Sequence, residues 1–199
     1  MAVTFSNPQS HNVTVAATTN SFAFDATGAD YVAIHIATTS TTFSTGATYN
    51  GSAMTKSTGD NTSFTSEMYY IANPTTGSNT ITVTWAGNQQ SLVSAICVTG
   101  ADKSSIGVAG SSTGGTTTTP QVTMTTVGAN SGIFVGLSTN LATGVTDIGS
   151  QSRQTSNTAV GIFAEYTSTV TEASPDPSVW SYQCSPDPPS RSRLWSGCL

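Results

Sequence analysis

Residues 49–56 read Y-N-G-S-A-M-T-K, residues 66–85 read S-E-M-Y-Y-I-A-N-P-T-T-G-S-N-T-I-T-V-T-W, and residues 91–102 read S-L-V-S-A-I-C-V-T-G-A-D. These three runs decide the fold. Apolar residues alternate with polar ones, and turn signals separate the runs: Asn50-Gly51, Asn73-Pro74 through Gly77, and Ala86-Gly87-Asn88. Asn and Gly tolerate the positive φ of a type I′ turn, so Tyr49 to Ser52 predicts a hairpin. Pro74 removes a ladder donor and fixes φ, and Gly77 supplies freedom, so the chain is expected to turn there. Ile81, Val83 and Trp85 share one strand face and Thr80, Thr82 and Thr84 the other, which predicts an inward and an outward side. Leu92 to Val98 is apolar on both faces, as a central strand would be. Asn50, Gly51, Asn73, Pro74, Gly77 and Trp85 thus read as scaffold residues.

Working outward, residues 1–25 predict two or three short strands, with Val3 and Phe5, Val13 and Val15, and Phe22 and Phe24 in alternation. The first of them, within residues 1–11, is read as an N-terminal arm. Tyr31 to Ala37 is a strong strand, Thr38 to Thr48 a polar connection, and Ser57 to Thr65 a polar loop. Glu67 to Ala72 is a further strand. Ser104 to Pro120 reads as a long exposed loop. Strands are expected again at Val122 to Val127, Gly132 to Ser138 and Ala159 to Tyr166. The pattern predicts an all-β fold, an antiparallel β-sandwich of the jelly-roll type with about eight to ten short strands and irregular termini. One domain is expected over residues 1–173. The tail from Ser174 to Leu199 holds five of the eight prolines and two of the three tryptophans, and reads as a Pro-rich arm. Its candidate partner contacts are Trp180, Tyr182, Arg191, Arg193 and Trp195.

Composition narrows the function classes. Only 8% of the 199 residues are charged and the net charge is −5, against about 25% charged in average proteins. Ser and Thr fill a third of the chain, so its polarity comes from hydroxyls. Five Lys and Arg in total argue against nucleic acid, which demands a basic footprint. No apolar run approaches the ~18 residues of a membrane helix. Met1 to Asn12 lacks the basic and apolar regions of a secretion signal, so synthesis in the host cytosol is expected.

Chemistry-bearing residues are sparse. His11 and His35 have no carboxylate or cysteine at ligand spacing, and Cys97, Cys184 and Cys198 form no framework, so neither metal nor cofactor is expected. Cys97 reads as a buried small hydrophobe. Glu67 and Glu165 fall on predicted strands and would face each other in a glycosidase, but rim or edge charges are the simpler reading. Asp25, Asp30, Asp60 and Asp102 fit turn capping better than calcium binding. Tyr69, if it faced solvent, would be the candidate for glycan stacking.

Tyr49-Asn50-Gly51, Tyr69-Tyr70 with Asn73-Pro74 and Gly77, Ile81 to Trp85, and Thr99-Gly100-Ala101-Asp102 together resemble a β-sandwich module of phage structural proteins and of unassigned bacterial surface proteins. The resemblance extends weakly to Tyr166 and excludes the tail. It implies a β-sandwich used in a virion or appendage and transfers no catalytic residue, so a non-enzymatic virion protein is expected. The expectation is a capsid decoration or cement protein, with a tail or fibre component as the variant, located in the virion. Its expected partners are the major capsid protein, other virion proteins and further copies of itself, with a trimer as one option. The alternative is a carbohydrate-binding or adhesin module on a phage or cell surface.

Overall fold

A computed structural model describes residues 3–60, 65–101, 110–115, 121–125, 132–139, 145–147, 152–159, 163–171, 177–184 and 192–198, with side chains described for 3–57, 65–101 and 132–138. Among these residues every regular element is a strand. Strands β1 (Thr4–Asp25), β2 (Tyr31–Thr38), β3 (Gly46–Tyr49), β4 (Ser52–Ala53), β5 (Thr55–Asp60), β6 (Thr65–Ala72) and β7 (Ser78–Thr99) form one antiparallel sheet. Its order is β4-β3-β7-β2-β6-β5, with β1 along the other edge of β7.

Two long strands replace several expected short ones. β1 and β7 are each 22 residues, where the sequence predicted two or three strands and two strands respectively. Ala86-Gly87-Asn88 is not a chain reversal: it is an exposed irregular bend inside β7. The same small residues permit a turn or a bulge. Here β1 carries matching irregularities between Val13 and Thr19, so the pairing continues round the corner. Of the residues expected as an N-terminal arm, Thr4 to His11 run inside this ribbon, with Thr4 opposite Thr99 and His11 opposite Val93, and residues 1 and 2 lie outside the described residues.

The bend puts the two halves of β7 in two facing walls. The first half pairs with β3 and the second with β2. β4 then runs into β5 through the buried Met54, whose N–H donates to Ala47 O (2.9 Å). This corner carries the chain from one wall to the other, so the sheet is nearly closed into a barrel. Asn50 and Gly51 make the two-residue turn between β3 and β4, with φ of 49° and 76°. Asn73 and Gly77, with φ of 50° and 87°, turn the chain between β6 and β7.

Alternation decides what fills the barrel. Val32, Ile34 and Ile36 of β2 meet Tyr69, Tyr49, Ile81, Val83, Trp85, Val93, Ala95 and Cys97 in one cluster. Burying each large side chain contributes about 1.5–3 kcal/mol. The opposite face of β2, β6 and β7 is also buried. Ala33, Met68 and Ile96 pack there against Phe134, and Val3, Tyr31 and Val98 form a neighbouring patch.

Phe134 comes from a second, five-stranded sheet that covers this outer face. It contains β8 (Gly110–Gly115), β10 (Gly132–Thr139), β12 (Ser152–Ala159), β13 (Phe163–Thr171) and β15 (Ser192–Cys198), in the order β12-β13-β10-β15-β8. β9 (Gln121–Thr125), β11 (Val145–Asp147) and β14 (Pro177–Cys184) form a three-stranded sheet. The tail expected as an arm therefore contributes two strands, and β15 pairs with β10 on one side and β8 on the other.

Candidate functional site

The densest polar constellation lies inside the barrel, at the end crossed by the β2–β3 connection. Thr65, Glu67 and Tyr69 alternate onto the inner face of β6, and all three are buried. The hydroxyl proton of Thr65 is shared by Ser40 O (2.8 Å) and Thr42 O (3.1 Å). The Glu67 carboxylate accepts from Ser44 N–H (2.8 Å) and from Ser44 Oγ (3.0 Å). Tyr69 Oη lies 2.8 Å from Ser44 Oγ and 3.3 Å from Glu67 Oε1. The polar connection of the sequence is therefore a cap pinned across the barrel end.

Lys56 completes the site. β5 occupies part of the stretch expected as a loop, and a bulge between Lys56 and Thr58 sets Lys56 opposite Tyr69. Its Nζ reaches Glu67 Oε1 at 2.7 Å and sits 3.6 Å from the centroid of the Phe43 ring. Gly59 gives this ammonium room, since a Cβ there would meet Lys56 Cε and Nζ at 2.7 Å and Phe43 at 2.9 Å. Glu67 has no exposed surface, so it is not the rim charge that the sequence suggested. A carboxylate taken from water needs such donors, because an unpaired buried charge is costly. With both oxygens engaged, the group clamps the cap to two strands.

Burial also sets the proton affinity of Tyr69. Loss of hydration pushes its phenol up to about 12; the Ser44 bond opposes the rise and the Glu67 charge adds to it. At 5% exposure Tyr69 is part of the core, which corrects its assignment as a glycan-stacking residue. It shares the inward parity of Glu67 and pairs with Ile34, so its ring faces into the barrel.

A second polar group is buried between the layers. His35 Nε2 and Ser66 Oγ are 2.7 Å apart, and Ser138 Oγ of β10 donates to Ser66 Oγ at 3.1 Å. All three residues have no exposed surface. His35 lies against the backbone of Gly136, where any Cβ would collide with the imidazole. The group fastens β10 to the barrel.

The remaining candidates are dispersed. Glu165 is on β13, opposite Ser138, whereas Glu67 points into the barrel and away from that sheet. Asp25 accepts from Thr27 N–H (2.9 Å) and Thr27 Oγ1 (2.7 Å), which holds its carboxyl below the usual range. Asp30 Oδ2 accepts from Gly100 N–H at 2.7 Å. Both act in turns. Cys97 is buried in the core, and burial, with the Asp25 charge, pushes its thiol up to about 11. Trp85 is 4% exposed and its indole N–H has no partner among the described residues. Of the tail candidates, Trp180 pairs with Val122, Tyr182 with Asp147, Arg193 with Ser138 and Trp195 with Gly136. Their side chains, Arg191 and Asp102 lie outside what is described.

Among the described residues, no three of His, Cys, Asp and Glu gather as a metal site, and no helix is long and apolar enough to cross a membrane. No family model matches the chain, nor does any curated protein or solved structure.

Proposed function

We propose that the chain is a non-enzymatic structural protein of a phage virion, a decoration or cement protein that binds the capsid shell. The observation that carries this reading is the outer surface of the barrel, where exposed hydroxyls pair across strands. Ser21 with Thr82 (2.9 Å) and Thr45 with Thr84 (2.9 Å) are such pairs. They leave a neutral surface rich in donors and acceptors, suited to lying against another protein without like-charge repulsion. Repeated copies on a symmetric shell would add avidity to weak individual contacts. In this reading the two β layers, in the manner of a jelly-roll sandwich, are a scaffold for contact surfaces. The major capsid protein would be the main partner.

The adhesin alternative loses the residue it rested on, because Tyr69 is inside the barrel. The test of the main reading is particle purification. The protein should band with virions at a copy number comparable to that of the shell protein, and the purified chain should rebind particles stripped of it. Recovery only in the soluble fraction, with no rebinding, would overturn the proposal.

A further inference from the structure

We propose that the free edge of β1 from Thr19 to Ala23 is a self-association edge, where a second copy of this chain pairs antiparallel about a twofold axis through Ser21. β1 pairs only with β7, so no strand among the described residues is hydrogen-bonded to its other edge. Ala26 N–H donates to Gly77 O at 3.1 Å. Ala26 and Gly77 continue the register of Phe24 with Asn79. In an antiparallel ladder the direction of the backbone groups alternates. Asn20, Phe22 and Phe24 therefore turn theirs toward β7, and Thr19, Ser21, Ala23 and Asp25 turn theirs outward.

Edge strands are ordinarily guarded by lysine, proline, bulges or covering segments. The first half of β1 has such guards: Pro8, and bulges between Ser6 and Gln9 and between Val13 and Thr19. Its outer face also meets the second sheet, since a Cβ at Gly132 would run into Val3 and Phe5. From Thr19 to Asp25 the register with β7 is unbroken, and Asp25 at the end is the only charged residue among the first 25. Thr19, Ser21 and Ala23 are small and exposed.

The occupant follows from charge and register. A neutral strand pairs with its own copy without repulsion. Asp25 O is already taken by Asn7 Nδ2 (2.8 Å) and Cys97 Sγ (3.4 Å). That leaves Thr19, Ser21 and Ala23 as the outward residues still open to pairing. The symmetric register that uses all three places Thr19 opposite Ala23 of the second copy and Ser21 opposite Ser21. Asp25 then lies beyond the pairing, away from its counterpart. The first barrel wall of each copy becomes half of one continuous sheet.

The test is the solution mass of the full chain, by light scattering on a sizing column across the micromolar range. The wild type should run at twice the 20.3 kDa chain mass. T19K/A23K places like charges opposite each other and should give monomer. T19K/A23E places opposite charges there and should remain dimeric. Ser21→Pro removes an outward N–H and no backbone bond to β7, only the exposed side-chain bond from Ser21 Oγ to Thr82 Oγ1, so it should be folded and monomeric. Unchanged thermal unfolding of these variants in dilute solution separates loss of pairing from loss of fold. A monomeric wild type, a dimeric T19K/A23K or a monomeric T19K/A23E would each overturn the assignment.

Discussion

Lys56 Nζ and Glu67 Oε1 stand 2.7 Å apart, with the lysine side chain 35% exposed and the glutamate fully buried. The pair is asymmetric. Lys56 can rehydrate if its partner is lost, whereas Glu67 cannot. Lys56→Met should therefore destabilise the protein by about 1.5–3 kcal/mol, the range for a hydrogen bond to a charged group. Glu67→Met in that background should cost less than it does alone, with a coupling of about 0.5–3 kcal/mol. Urea unfolding of the two single variants and the double would measure this. Strict additivity would show that the ion pair is not what holds the cap.

Gly136 and His35 make the second prediction. Gly136→Ala forces a Cβ into the imidazole and should cost about 1–3 kcal/mol, as overpacking does. His35→Ala opens that space, so the double variant should be more stable than the sum of the two single losses implies. Thermal unfolding of all three variants reads this out. An undiminished Gly136→Ala penalty in the His35→Ala background would place the clash elsewhere.

Alkaline pH should weaken the fold. The folded pKa of Cys97 is raised from 9.0 to about 11, and that of Tyr69 from 10.0 to about 12. Between those limits the unfolded chain has released protons that the folded chain still holds, so stability falls as pH rises. The contribution of these groups is fully present below pH 9 and is lost progressively up to about 12. The urea midpoint should decline across this window, and Cys97→Ala with Tyr69→Phe should flatten the decline. A midpoint that stays level to pH 11 in the parent protein would contradict this.

The turn at Asn50-Gly51 gives a local prediction. Gly51 has φ of 76° with open space around it. Gly51→Ala thus meets no clash and feels only the left-handed backbone penalty, about 1–2 kcal/mol. The urea midpoint should drop with an unchanged slope, because no core contact is lost.

Which features were legible in the sequence follows from how far apart their determinants lie. Asn50-Gly51 and the alternation of Ile81, Val83 and Trp85 depend on neighbouring residues, and they could be read directly. Ala86-Gly87-Asn88 could not, because its residues suit either a turn or a bend and β1 makes the choice from far away in sequence. The Glu67 site was hidden for a similar reason. It needs the β5 register, the bulge after Lys56 and a cap residue, Ser44, which lies in a run of hydroxyls with nothing to single it out. Strand alternation puts Tyr69 and Tyr70 on opposite faces, but only the placement of β6 decides which of them enters the barrel.

The pairing of Thr4 with Thr99, 95 positions apart, has a consequence for synthesis. β1 leaves the ribosome before β7, and its only partner strand among the described residues ends at Thr99. Until β7 has been made, a 22-residue strand without lysine or arginine waits unpaired. The β3–β4 hairpin and the β2–β6 pair can form in that interval, but the ribbon joining the two walls cannot. Such non-local pairing is slow, and a waiting strand is exposed to aggregation. Yield of soluble protein should therefore depend on elongation rate and chaperone supply more than the stability of the finished barrel would suggest.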